Sequence, residues 1–411
     1  MSREPSREVP RRRFLRQVSV AAILAGTPGW GNPRQKITKF PPELFLQHTA
    51  EREFVGPAVL EMTTTGELWM VAPWGRPPVN FGQVKGLNLP PYVYRSKDGG
   101  RNWIRGKRMN MPIDLPGMIS DGGITLLRLQ SRKILAAFNR NVEGYKGGGV
   151  PGISISADEG QSWSPLRKVQ DTEDIFYLMN ERVIQLRSGR LVMPVALKPP
   201  TIERKTYGEG SVCQAACFLS DDEGKSWHLS KTTVIDDERG MAEPAVAELD
   251  GRRILMLART GSGSHHASIS ENEGETWIQP RPTTLRAACS SLTLKRLPTG
   301  DLFVVFNPGV PLFLGSFFPR RPLSYAVSRD QGRSWSAPVV IDDVKGQQLI
   351  YPSVTPLKNG ILIVYSAHLD PGDGQFSTPE DWKIGGAKRC LIDFPSQGSF
   401  SGKKAYGNCQ D

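Results

Sequence analysis

The pattern Ser-x-Asp-x-Gly-x-x-Trp recurs five times, and this repetition constrains the fold more than any other feature of the chain. The copies are Ser96-Asp98-Gly100-Trp103, Ser156-Asp158-Gly160-Trp163, Ser220-Asp222-Gly224-Trp227, Ser270-Asn272-Gly274-Trp277 and Ser328-Asp330-Gly332-Trp335. These residue types spell a tight hairpin turn. Asp or Asn hydrogen-bonds nearby backbone amides, Gly takes a positive φ, and Trp packs back under the turn. Successive copies lie 60, 64, 50 and 58 residues apart, a spacing that marks blades or arrays.

A second pattern counts the units. An apolar strand, a Gly-containing turn and another apolar strand occur at Pro57–Ala72, Ile124–Phe138, Arg182–Val195, Pro244–Ala258, Leu292–Phe306 and Pro352–Tyr365. Each of the first five is followed by one turn motif. The 42 Gly and 33 Pro favour many short strands, and no amphipathic helix of useful length follows residue 45. The expected fold is all-β: a six-bladed β-propeller of four-stranded blades, five of them holding a turn motif. The sixth blade lacks the motif and needs strands from both ends of the chain, with Ile37–Phe45 and Cys390-Leu391-Ile392 as candidates. Blades cannot bury both faces alone, so residues 38–395 are expected to form one domain. Residues 396–411 read as a tail.

Residues 1–30 read as an address. Arg11-Arg12-Arg13-Phe14-Leu15-Arg16 and the apolar run from Val18 to Leu24 resemble a twin-arginine export signal, with Pro10 where Ser or Thr is usual. The run is too short to span a bilayer, and no later stretch reaches that length. A periplasmic or extracellular location follows as an expectation. The net charge of +11 includes six Arg and two Glu within residues 1–16, and no basic run is interleaved with aromatics, so nucleic acid is not an expected partner. The five Cys include Cys213 and Cys217, too far apart along one strand to bridge. His265-His266 follow Gly261-Ser262-Gly263-Ser264 with no carboxylate or Cys nearby in sequence. No metal or other cofactor is expected.

Propellers bind ligands at the channel end where the innermost strands start. Aligning the six strand pairs on their turns puts Gly56, Gly123, Asn180, Glu243, Ser291 and Tyr351 at that level. Only Glu243 and Tyr351 can do chemistry there. Arg259 ends the partner strand of Glu243, where other blades have Asn139 and Asn307. Arg182 and Asp121 lie close by in sequence on neighbouring inner strands.

The five turns are Asp-boxes, and their repetition resembles the sialidase (neuraminidase) superfamily. In that family the boxes are structural, which assigns no catalysis to Asp98, Asp158, Asp222, Asn272 or Asp330. The resemblance becomes specific in Met241-Ala242-Glu243-Pro244 through Leu257-Ala258-Arg259, in Arg321-Pro322-Leu323 before the last box, and in Leu349-Ile350-Tyr351-Pro352-Ser353. It spans roughly residues 45 to 385 and implies hydrolysis of a terminal acidic sugar. Tyr351 would be the nucleophile and Glu243 its base, while Arg259 and Arg321 bind the substrate carboxylate; Arg182 is a further candidate for substrate binding. A carboxylate nucleophile would be repelled by that carboxylate, whereas a phenol activated by Glu is not. Arginines grip a carboxylate by paired charge-assisted hydrogen bonds. Two positions depart from the family. Phe54-Val55-Gly56-Pro57 lacks its first arginine, and Trp74 to Lys97 contains no Asp or Glu for the acid. Asp121, Glu181 and His48 are candidate replacements, Asp121 foremost. The same residues also have plainer readings: Tyr351 as a channel cap, Glu243–Arg259 as a structural ion pair, Arg321 as part of a basic face. The chemistry could also be that of a glycosidase or lyase for another anionic sugar, or of a non-catalytic glycan-binding propeller.

Overall fold

Each apolar strand of the repeat pairs antiparallel with its neighbour in the chain, because short Gly-containing turns leave no room for any other partner. The computed structural model describes residues 40–47, 56–72, 90–113, 118–141, 149–172, 174–198, 213–236, 240–287, 289–309, 320–358, 360–369 and 385–394. Its strands form six small sheets, and no helix occurs among the described residues. The first blade runs, from the axis outward, through Ala58–Glu61, Leu68–Val71, Tyr92–Ser96 and Ile104–Arg108. The fourth runs through Ala242–Glu248, Ile254–Arg259, Ser264–Ser270 and Arg281–Arg286. In the third blade the inner strand is split into Ile175–Tyr177 and Ile184–Gln185, both paired with Leu191–Lys198.

The sixth blade closes the ring as expected from the sequence. Gln347–Leu357 and Gly360–Leu369 pair with each other, Gly386–Ile392 adds a third strand, and Phe40–Gln47 comes from the other end of the chain as the fourth. That blade has no box because no hairpin joins its third and fourth strands. Arg389 clasps the closing strand: its guanidinium lies over the rings of Phe40 and Phe45 and pairs with Glu43.

The core is not at the axis. It is divided into six apolar clusters, one at each junction between consecutive blades. The cluster between the first two blades, for example, holds Val71, Trp69, Ile124 and Phe138. The Asp-boxes link the same junctions. Within each box the Ser hydroxyl donates to the Asp or Asn side chain and accepts the Gly amide, as in Ser156, Asp158 and Gly160. The box Gly and the residue before it both have positive φ, +58° at Glu159 and +82° at Gly160. A Cβ added to Gly160 would lie 2.5 Å from Trp69, and one added to Gly100 would lie 2.7 Å from Leu362. Both neighbours belong to the preceding blade, so each box is wedged against the blade before it.

Register fixes the two faces. Ala242 pairs with Arg259 while Ile254 pairs with Ser270, the first residue of a box. The boxes therefore lie at the end of each blade opposite to the start of the inner strand. Glu243, Tyr351 and the strand ends beside them share the other face. Residues 1–30, read from the sequence as an export signal, His48 and the residues read as a tail lie outside the described residues.

Candidate functional site

The inner strands do not start smoothly. In the fourth blade the register shifts between Ala242 and Ala245, and in the sixth between Ile350 and Ser353. These bulges contain Glu243-Pro244 and Tyr351-Pro352. Proline cannot donate to the ladder and keeps the preceding residue out of the right-handed helical region. Glu243 and Tyr351 take φ of +49° and +51°, and the equivalent Gly56, also before a proline, takes +60°. In the third blade the residue with this conformation is Glu181, at +57°, one position beyond the Asn180 aligned by sequence. The split inner strand accounts for the slip. The second blade also shifts register between Ile119 and Ile124, a bulge that contains Asp121.

Side chains from these bulges meet at the axis. Glu243 and Arg259 form an ion pair with Nη1 3.1 Å from Oε1, and both side chains are less than 5% exposed. The second oxygen of Glu243 is buried with no hydrogen-bond partner. Tyr351 is half-buried, and its phenol pKa is raised by burial and by the Glu243 charge, while a hydrogen bond from Arg320 opposes the rise. The Arg320 guanidinium lies 5.9 Å from the centre of the Tyr351 ring and is itself buried. The arginine at this tyrosine is therefore Arg320. Arg321, the residue singled out from the sequence, instead pairs with half-exposed Asp343 at 3.1 Å. Adjacent residues of an extended segment point to opposite sides. The segment is held by Asn307, whose amide donates to the carbonyls of Arg320, Pro322 and Leu349. Of the two arginines, Arg320 reaches the mouth, and Arg321, expected there from the sequence, turns to Asp343.

Arg182 is fully buried and reaches across the channel, donating to Thr293 Oγ1 at 3.1 Å and Ser291 Oγ at 2.9 Å. Burial lowers its pKa to about 10 against the attraction of Glu243, Glu181 and Tyr351, so it is cationic at neutral pH. Glu181 accepts the Val59 amide and pairs with Lys295, each at 2.9 Å. It is therefore committed to joining blades. Asn180 donates to the carbonyls of Pro57, Tyr351 and Pro352 and so holds the Tyr351 bulge from below. Asp121 lies in the backbone of its bulge, and its side chain is not among those described. Among the described residues neither Arg182 nor Arg320 has a carboxylate within ion-pair distance. Among the described residues the mouth therefore holds three guanidiniums and one buried carboxylate oxygen, on Glu243, that has no hydrogen-bond partner. That arrangement suits a bound anion, because a desolvated guanidinium is costly without one. The sequence reading offered Glu181 as a candidate acid, whereas here both its oxygens are engaged between blades. It gave no role to Arg320 or to the Asn180 side chain, because neither the side an arginine takes nor a contact between blades leaves a local pattern. Among the described residues no group of His, Cys, Asp and Glu is arranged to hold a metal ion.

A six-bladed propeller with Asp-box turns on one face and an arginine-rich mouth on the other defines a class of protein. Within it this chain belongs to the BNR repeat-like domain family, whose model matches residues 125–364. Its fold is a six-bladed propeller built on BNR repeats. No curated protein matches it. Among solved structures it is similar to a protein of unknown function from Dyadobacter fermentans, with TM-score 0.62 and 16% identity over 87% of this chain and 99% of that one. It is also similar to the Hadza microbial sialidase Hz136, with TM-score 0.60 and 17% identity over 83% of this chain and 66% of that one. A third is the α-L-arabinanase of Penicillium chrysogenum, with TM-score 0.59 and 11% identity over 87% of this chain and 98% of that one.

Proposed function

We propose that this protein is an exported glycoside hydrolase acting on a terminal acidic sugar. Tyr351 is the nucleophile, Glu243 its base, and Arg182, Arg259 and Arg320 hold the substrate carboxylate. Similar folds carry the names sialidase and arabinanase, which makes a glycan the ligand class. The observation that favours an acidic over a neutral sugar is the guanidinium surplus: among the described residues, two of the three arginines have no carboxylate of their own. In the reaction the Tyr351 oxygen attacks the anomeric carbon as its proton passes to the free oxygen of Glu243. Burial keeps the phenol un-ionised at neutral pH, so it needs that base. Water then cleaves the glycosyl–tyrosine bond: Glu243 returns its proton to the tyrosine oxygen, and the group that protonated the leaving group takes the proton lost by water.

The leaving group still needs an acid. The stretch from Trp74 to Lys97 contains no Asp or Glu, and Gly56 stands where the family's first arginine would be. Those two departures favour a second reading, a propeller that binds an acidic glycan without cleaving it. Asp121, in the corresponding bulge of the second blade, is the proposed acid if cleavage occurs.

The test is a screen of purified protein against chromogenic sialosides, uronides and neutral glycosides, followed by Tyr351→Phe. We expect turnover of an acidic glycoside, loss of at least 1,000-fold in kcat in the variant, and an unchanged melting temperature. Full activity in Tyr351→Phe would overturn the tyrosyl mechanism. Binding without turnover of any sugar would leave the second reading.

A further inference from the structure

The connection that follows Arg259 carries a second constellation. Ser262 Oγ lies 2.9 Å from His266 Nε2. His266 Nδ1 lies 3.3 Å from Asp236 Oδ2, an ion-pair distance rather than an aligned hydrogen bond. The sequence concealed this group, because the carboxylate lies far upstream, in the segment entering the fourth blade. The histidine is buried, while Ser262 and Asp236 are half-exposed. Carboxylate, imidazole and hydroxyl thus stand in the order that a serine nucleophile requires.

The local backbone makes this possible. Arg259 ends one strand and Ser264 begins the next, so four residues must reverse the chain. Gly263 takes φ of +91°, and a Cβ added to Gly261 would meet nothing within 4 Å. The loop therefore faces open space, and Ser262 sits between its two glycines. Thr260 steadies the turn: its hydroxyl donates to the Ser264 carbonyl at 2.8 Å and accepts the Ser262 amide at 3.2 Å. It also lies 2.7 Å from Ser262 Oγ, and its proton is shared between that oxygen and the Ser264 carbonyl, which leaves the Ser262 proton for His266. With a proton on Nδ1 facing Asp236, Nε2 is left as the acceptor for the Ser262 hydroxyl. His265, next in the chain, points into the core. It packs edge-on to Phe306, and burial lowers its pKa to about 3, so it stays neutral. The two adjacent histidines therefore have different environments, and only His266 serves the loop.

We propose that Ser262, His266 and Asp236 form an ester-cleaving site for small acyl groups, placed on the same face as the channel mouth. Ser262 Oγ attacks the ester carbonyl and His266 Nε2 takes its proton. The tetrahedral adduct collapses, the C–O bond breaks, and the proton passes to the leaving alkoxide. Water then attacks the acyl-serine, again through His266, releasing the carboxylic acid and restoring the hydroxyl. Asp236 acts through His266 as a positioning residue. The ester-cleaving chemistry stands apart from the glycosidase reading. Only the inference that the ester is an acyl decoration on the bound glycan rests on it, through the three-residue separation of Ser262 from Arg259.

The experiment uses the full chain, a fluorophosphonate probe and p-nitrophenyl acetate, neither of which contains a sugar. Peptide mass mapping should find the phosphonyl group on Ser262, with fluoride released. Ser262→Ala should lose the label and the acetate turnover while keeping its melting temperature and any glycosidase activity. His266→Gln should slow labelling at least 100-fold, as loss of a general base does. Asp236→Asn should lower kcat for the acetate with little change in KM, which a purely structural carboxylate would not do. Label on another residue, or acetate turnover retained in Ser262→Ala, would overturn the proposal whatever the glycosidase screen finds. If Ser262→Ala melts early, the label position in the unaltered protein decides alone.

Discussion

The Asp-box glycines should rank by the space their neighbours leave. Gly66, outside any box, has φ of +68° and nothing within 4 Å of an added Cβ. Gly66→Ala therefore carries only the conformational penalty of a left-handed alanine, about 1–2 kcal/mol. Gly160 has a comparable φ of +82°, but its Cβ would lie 2.5 and 2.9 Å from the Trp69 ring. That ring is fixed in the cluster between the first and second blades and cannot swing away as a surface side chain could. Gly160→Ala should thus add an overpacking term of about 1–3 kcal/mol, for a total of roughly 2–5 kcal/mol. Gly332→Ala, with Leu255 at 2.6 Å, should behave alike, whereas Gly224→Ala, with nothing closer than 3.4 Å, should fall near Gly66→Ala. Urea unfolding of the four variants, with slopes checked for constancy, measures the series. Equal losses for Gly160→Ala and Gly66→Ala would refute the claim that the boxes wedge one blade against the previous one.

Two further expectations concern charge. Hydrogen bonds from the Ser162 hydroxyl and amide hold the Asp158 pKa down to about 2. A depressed carboxylate stabilises the fold above its unfolded value near 4 and loses that contribution as pH falls through about 2. Melting temperature followed from pH 5 to pH 2 should therefore fall less steeply in Asp158→Asn, which copies the natural Asn272 box; an identical slope would remove the box from the acid response. Arg320→Met should weaken binding of a carboxylate-bearing sugar by about 10- to 100-fold, the loss expected for a charge-assisted hydrogen bond, and weaken a neutral sugar far less. Calorimetric titration of the two sugars checks this, and equal losses would mean that Arg320 shapes the mouth without gripping an anion.

What could be read from the sequence was whatever repeats. The box residues recur with their partners inside eight positions, so turn chemistry alone exposes them, and the strand pairs between them give the blade count and the closing strands. The Glu243–Arg259 pair was legible for the same reason, since both residues sit at ends of one hairpin. Errors arose where the period breaks. Arg320 and Arg321 differ only in which side of an extended segment each side chain takes, and that parity is set by Asn307 gripping three carbonyls. Asn180 and Glu181 were exchanged because the third blade's inner strand is interrupted. Asp236 was missed beside His266 because the contact joins two separate connections of the propeller, and no local pattern announces it.

The left-handed residues tie these observations together. Apart from the Asp-boxes and the hairpin turns at Arg132 and Arg252, the non-glycine residues with positive φ among those described are Glu181, Glu243 and Tyr351. Such a conformation costs of order 1–3 kcal/mol each and persists only where the surroundings impose it. Here they do. Asn180 holds the carbonyls of Tyr351 and Pro352, Thr293 donates to that of Pro352 at 2.6 Å, and Arg182 in turn donates to Thr293. The strain aims a side chain from the start of an inner strand toward the axis instead of along the blade face, a direction that ordinary pleating would deny it. Glu181 spends that geometry on joining blades, with both oxygens engaged. Glu243 leaves one oxygen without a hydrogen-bond partner, and Tyr351 carries its hydroxyl to Arg320, which has no carboxylate partner among the described residues. The same backbone device therefore joins blades in one case and presents polar side chains to the channel mouth in two others, and the difference lies in which polar atoms remain without a partner among the described residues.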